Sequence, residues 1–176
     1  MFNKEQIKVL LLHRDYKDLA AQWRGKILNY TVELEIIIED FLSYYFCGKS
    51  KKKRQSFLNL FIESETNFYT KIKVCCKIFK DSPDSNEYKF SRVKGYLDNI
   101  RKIRNIVAHS DINSADFINN LNGKTTIFKQ IYKDQKPLSI SEEIFHNFIM
   151  EASYCLDFFI EQIHILGKPL PNKVKP

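Results

Sequence analysis

The sequence predicts an all-α fold, a helical bundle with one short β-hairpin ahead of its last helix. Three observations carry that reading. Apolar residues recur every three or four positions through most of the 176 residues. The breaks between those runs fall at Gly48, at the polar stretch 81–86 and at Gly167. Only residues 124–132 alternate with a period of two, with 138–140 as a returning strand after a turn. A chain of this length buries about 70% of its unfolded surface. No linker divides it, so residues 1–167 are expected to form one domain, with 168–176, which holds three prolines, as a tail.

In order along the chain, Ile7, Leu10, Leu11 and Leu19 lie at helical spacing and predict a first helix over 3–22. Trp23 packs at a turn, and Gly25 permits a break. A second, very apolar helix covers 26–47, with Ile27, Leu34, Phe41 and Tyr45 on one face and Val32 and Ile36 on another. Of its acids, Glu35 sits at the edge of the apolar face, where it could pair with Arg104. Gly48 ends that helix. Lys49–Arg54, five cations in six residues, reads as an exposed loop. A short helix follows over 55–63. The next, over 66–80, is capped by Ser64 or Thr66, with Lys71, Lys73, Lys77 and Lys80 covering its outer side.

After the turn at 81–86, a long helix spans 87–108. Tyr96, Ile100, Ile103 and Val107 form its stripe, and Gly95 suggests the close approach of a neighbour. Asp111–Gly123 is a polar, Asn-rich segment. Lys124–Tyr132 and Leu138–Ile140 form the expected hairpin around a turn at 133–137. Ser139 or Ser141 caps a last helix whose inner stripe is Phe145, Phe148, Ala152, Cys155, Leu156, Phe159 and Ile163.

Composition limits the function. No apolar run approaches the length of a membrane span, and residues 1–6 are charged with no signal-peptide core, so a cytoplasmic protein is expected. Four irregularly spaced cysteines form no zinc pattern and read as buried reduced thiols. The net charge of +7 is unevenly spread: residues 1–50 carry 7 basic and 7 acidic groups, 51–110 carry 14 and 6, and 111–176 carry 7 and 8. A basic region of this kind is the footprint of a polyanion partner, or else a solvated lysine face. The single, scattered glycines make no phosphate-cradling loop, and no carboxylate cluster suits magnesium. No metal or other cofactor is expected.

The stretch 101–110, Arg-Lys-Ile-Arg-Asn-Ile-Val-Ala-His-Ser, closes the long helix. Arg104 falls at the edge of its apolar stripe, Asn105 further round, and His109 at the helix end. One interpretation is a basic solvated face with a His that suits a helix C-terminus. The other is chemistry on a phosphate. RNA carries its own nucleophile in the 2′-hydroxyl, a His moves protons near neutrality, and an Arg stabilises charge on the transition state.

Arg104-Asn-Ile-Val-Ala-His109 resembles the Arg-x4–6-His motif of the HEPN superfamily (higher eukaryotes and prokaryotes nucleotide-binding). The position of the motif, at the end of a late helix with one more long helix to follow, is similar too. The resemblance implies a HEPN-type helical bundle and a metal-independent endoribonuclease, a toxin or phage-defence effector. Its products would bear 2′,3′-cyclic phosphate and 5′-hydroxyl ends. Arg104 and His109 would be catalytic and Asn105 auxiliary. From the charge pattern itself, Lys51, Lys52, Lys53, Arg54, Arg101 and Lys102 are the candidate RNA-binding residues, with a solvated surface as the other reading.

The resemblance also implies a homodimer with the motifs at its interface. Geometry agrees, because two positions five apart on a helix lie about 140° apart around its axis. An antitoxin or another regulatory protein would be a further partner. Some HEPN toxins have a Tyr two residues after the His that a partner nucleotidyltransferase modifies; here that position is Asp111, so this mode of control lacks its acceptor. The alternative is a non-catalytic HEPN-like module that binds a nucleotide, an RNA or a protein.

Overall fold

The computed structural model describes residues 4–62, 66–81, 87–112, 125–130 and 138–167. The fold is all-α, a helical bundle. Its helices are α1 (Lys4–Cys47), α2 (Lys51–Phe57), α3 (Phe68–Asp81), α4 (Glu87–Ala108) and α5 (Glu142–Gly167). One turn of π-helix, Leu58–Ile62, continues α2. Three short strands, β1 (Ser110–Ile112), β2 (Thr125–Gln130) and β3 (Leu138–Ser141), are ordered β1-β2-β3. Both neighbouring pairs are antiparallel, with Ser110 opposite Gln130 and Thr126 opposite Ile140. Expectations for 63–65, 82–86, 113–124, 131–137 and the tail 168–176 fall outside the described residues. So do the side chains of Ile7, Leu10, Leu11 and His13.

The chain forms two compact units. One comprises Met1–Thr31 and Asn99–Glu151, the other Val32–Asp98 and Ala152–Pro176. In the first, Tyr16, Ala20, Trp23, Ile27, Ile100, Ile103, Val107, Ile140 and Phe148 are buried. Trp23 stacks on Phe145 with ring centroids 4.9 Å apart. In the second, Phe41 stacks on Phe79, and Phe79 on Phe90 at 4.2 Å, with Phe158 and Phe159 closing the cluster. Such ring pairs add about 0.5–1.5 kcal/mol each beyond the area they bury. Cys75 and Cys155 are also buried here, and all four thiols are free. Burial pushes the Cys75 thiol far up, so it is no nucleophile at neutral pH.

Several expectations need correction. The two N-terminal helices are one: α1 runs unbroken through Gly25. Its buried positions, Tyr16, Ala20, Trp23, Ile27, Thr31, Leu34, Ile38 and Phe41, advance in steps of three and four without a phase slip. The inner face thus stays in register across the glycine, and packing outweighs its propensity penalty of about 1 kcal/mol. Gly95 marks no close approach, because a Cβ built there meets nothing within 4 Å. The run Lys51–Arg54 is helical, not a loop. Ser50 caps it, its side chain accepting from the Lys53 backbone N–H at 3.4 Å. The cap of α3 is Asn67, which accepts from Thr70 N at 2.9 Å. Gly48 does end α1, at φ +60, with its N–H donating to Tyr44 O at 2.9 Å. Ser141 caps α5 through the Ile144 N–H at 3.2 Å.

Lys71 is the largest departure. Expected on the outer side of α3, it is only 4% exposed. Its Nζ donates to Glu35 Oε1 at 2.6 Å and to Glu39 Oε1 at 2.5 Å. Glu35, expected to hold Arg104, is thus engaged by Lys71. Glu35 and Glu39 are four residues apart on α1, so both carboxylates reach one ammonium. Burial pulls the Lys71 pKa down, but the hydrogen bonds and charges of the two glutamates outweigh it and hold the group above its ordinary value of 10.5.

Candidate functional site

The end of α4 forms part of the first unit. Its buried positions, Ile100, Ile103 and Val107, anchor one face of the helix. That anchoring fixes where the polar side chains of the same turns can point. Arg104 and Asn105 are half-buried, as is Arg101, while Lys102 and His109 are exposed. The guanidinium of Arg104 donates from Nη1 to Asn105 Oδ1 at 3.2 Å. The backbone N–H of His109 donates to Asn105 O at 3.3 Å. Asn105 is therefore the residue touched by both of the others, through its side chain by Arg104 and through its carbonyl by His109.

His109 is the first residue past the helix and is exposed. The next residue is held firmly. Ser110 is 4% exposed, and its hydroxyl donates to Ile106 O. Its carbonyl accepts from Arg24 Nη2 on α1. It also opens β1, a strand that the sequence pattern does not predict. Sequence reasoning misses Arg24 as well. The available signal is its place beside Trp23 and one turn before Ile27, on the flank of the buried face of α1. A cation there must either extend to solvent or find acceptors.

The chemical capacity of this turn follows from its groups. Arg104 presents up to five N–H donors in a fixed plane, one of which Asn105 orients. An exposed imidazole can exchange protons with a bound substrate or with water. Among the described residues, no group of three or more His, Cys, Asp or Glu could hold a metal ion. The side chain of Asp111 lies outside the described residues.

The remaining sequence candidates belong to the second unit. Lys51, Lys52 and Lys53 are exposed on α2. Arg54 is half-buried, its guanidinium lying 3.7 Å from the centroid of the Tyr44 ring. Stacking of this kind preorganises a guanidinium in a way a lysine cannot match. No helix of the described residues is long and apolar enough to cross a membrane. No protein-family model, curated protein or solved structure matches this chain.

Proposed function

We propose that this protein is a cytoplasmic, metal-independent endoribonuclease of the HEPN type, with the turn Arg104–His109 as its catalytic centre. The observation that carries the reading is a half-buried Arg104, oriented by the side chain of Asn105, with an exposed His109 at the end of the same helix. The concentration of positive charge in residues 51–110 supports an RNA substrate.

In the proposed reaction, Arg104 donates to the non-bridging oxygens of the scissile phosphate and stays charged throughout. His109 takes the proton of the 2′-hydroxyl or supplies one to the departing 5′-oxygen. The products are a 2′,3′-cyclic phosphate and a 5′-hydroxyl. Arg104 and His109, about 140° apart around α4, do not easily converge on one phosphate from a single chain. A two-fold dimer that joins two such turns would supply one pair to hold the phosphate and the other to move protons.

The test is cleavage of RNA in excess chelator by the wild type, Arg104→Ala and His109→Ala. Each variant should lose about 100-fold or more in rate. Both should keep their helical circular dichroism, since neither side chain is fully buried. Full activity in either variant, with contaminating nuclease removed, would sink the proposal. Tight RNA binding with no cleavage by the wild type would favour the non-catalytic module instead.

A further inference from the structure

We infer that Arg24 is a positioning residue for His109, acting through the backbone of Ser110; its catalytic consequence rests on the function proposed above. His109 has an exposed ring, and ring placement must then come from the backbone that carries it. On its N-terminal side the last turn of α4 provides this, with His109 N–H donating to Asn105 O at 3.3 Å. On its C-terminal side everything converges on Ser110. That residue is buried, its hydroxyl is bonded to Ile106 O, and it stands opposite Gln130 in the β1–β2 register. Its carbonyl accepts from the guanidinium of Arg24.

Arg24 differs in origin from the partners within α4 and from the strand pairing with Gln130. The Asn105 and Ile106 hydrogen bonds come from within four residues and turn with the end of α4 itself. The bond from Arg24 spans 86 residues of sequence and ties the turn to α1. Its anchor on α1 is rigid, because Trp23 is buried and stacked on Phe145 and Ile27 is fully buried. A hydrogen bond between a charged donor and a carbonyl is roughly twice as strong as a neutral one. With that bond in place, the chain between Asn105 and Ser110 is held at both ends and His109 has one backbone setting. Without it, the C-terminal end of the turn keeps the Ile106 bond and the β1–β2 pairing but loses its tie to α1. A misplacement of about 1 Å at a catalytic group can cost about 100-fold in rate.

The test compares Arg24→Met, which keeps the bulk of the stem and removes the donors, with Arg24→Lys, which retains one charged donor. Two readouts are taken on the full chain. The first is nuclear magnetic resonance of the His109 and Ser110 amides and of the His109 ring, with exposed His146 and His164 as internal controls. The second is steady-state RNA cleavage in chelator. Arg24→Met should loosen the His109 and Ser110 amides and shift the His109 ring signals, leaving the signals of His146 and His164 in place. Its kcat should fall at least about tenfold, with KM within about twofold. Arg24→Lys should restore the amide order and most of kcat.

If the two variants behave alike, whether both native or both perturbed, the inference is overturned. Should Arg24→Met fail to fold, Arg24→Gln, whose shorter amide keeps a polar group at the helix surface, takes its place under the same criteria. If the wild type cleaves no RNA, the proposed activity fails while the resonance arm still decides whether Arg24 holds the His109 turn.

Discussion

Replacing Lys71 by Met should destabilise the protein by about 3 kcal/mol, and the structure sets that figure. The lysine is 4% exposed and bonded to two carboxylates at 2.6 and 2.5 Å. Removing one partner of a buried ion pair costs about 3–5 kcal/mol, because the other is left desolvated and unpaired. Here Glu35 and Glu39 keep 28% and 21% of their side-chain surface, so water relieves part of the penalty and the low end applies. Mutual repulsion of the two carboxylates, four residues apart on α1, acts in the opposite direction. For a chain of this size each kcal/mol is worth about 2–4 °C, so the melting temperature should fall by about 6–12 °C. Urea unfolding at pH 7, followed by circular dichroism, measures the change in midpoint. Adding Glu35→Gln and Glu39→Gln to Lys71→Met should recover most of the loss.

The pH dependence has a definite sign. A lysine whose folded pKa lies above 10.5 contributes stability that is fully present below that value. The contribution is lost as pH rises through the higher folded pKa. The gap between wild type and Lys71→Met should therefore hold across neutral pH and narrow in strong alkali. A loss below about 1 kcal/mol at pH 7, or a gap that widens above about pH 11, would refute the reasoning.

Three other outcomes are expected. Gly25→Ala and Gly95→Ala should each stabilise the protein by about 0.5–1 kcal/mol, since both glycines are exposed in helix interiors with open space for a Cβ, whereas Gly48→Ala, at φ +60, should lose about 1–2 kcal/mol; urea midpoints read all three. Changing Lys51, Lys52 and Lys53 together to Gln should flatten the salt dependence of RNA binding by roughly 0.7 in log–log slope for each phosphate no longer neutralised, and an unchanged slope would return them to a merely solvated face. Mixing inactive Arg104→Ala with inactive His109→Ala should restore cleavage if a dimer shares its sites, and a strictly monomeric active enzyme by light scattering would rule that arrangement out.

The inner faces of the helices are legible in the sequence because burial repeats with the helical period. The stripe Ile100, Ile103 and Val107 and the run Phe148, Ala152, Cys155 and Phe159 are buried as their spacing requires. Gly48 and Ser141 are legible because a left-handed residue and a cap leave local chemical signatures. The continuity of α1 is not, since a lone glycine resembles a break until the positions on both sides are known to share one phase. Lys71 and Arg24 are not, because each is decided by partners far along the chain. Glu35 lies 36 residues from Lys71, and Ser110 lies 86 from Arg24. Among the candidate site residues, spacing alone places Arg104 at the edge of its stripe and His109 beyond the helix end.

The buried thiol of Cys75 gives this protein a built-in clock. It lies one turn beyond Lys71 on α3, it is fully buried, and its proton is held far more tightly than that of a free thiol. An alkylating reagent can therefore react with it only after the segment has opened to solvent. When closing outruns the chemistry, the labelling rate is the opening equilibrium multiplied by the rate of an exposed thiol. With Cys47 and Cys76 changed to Ser, that leaves Cys75 on α3 and Cys155 on α5 as the two hidden thiols. Mass spectrometry of each labelled peptide would then time the opening of two helices separately, under native conditions, with no denaturant and no attached probe.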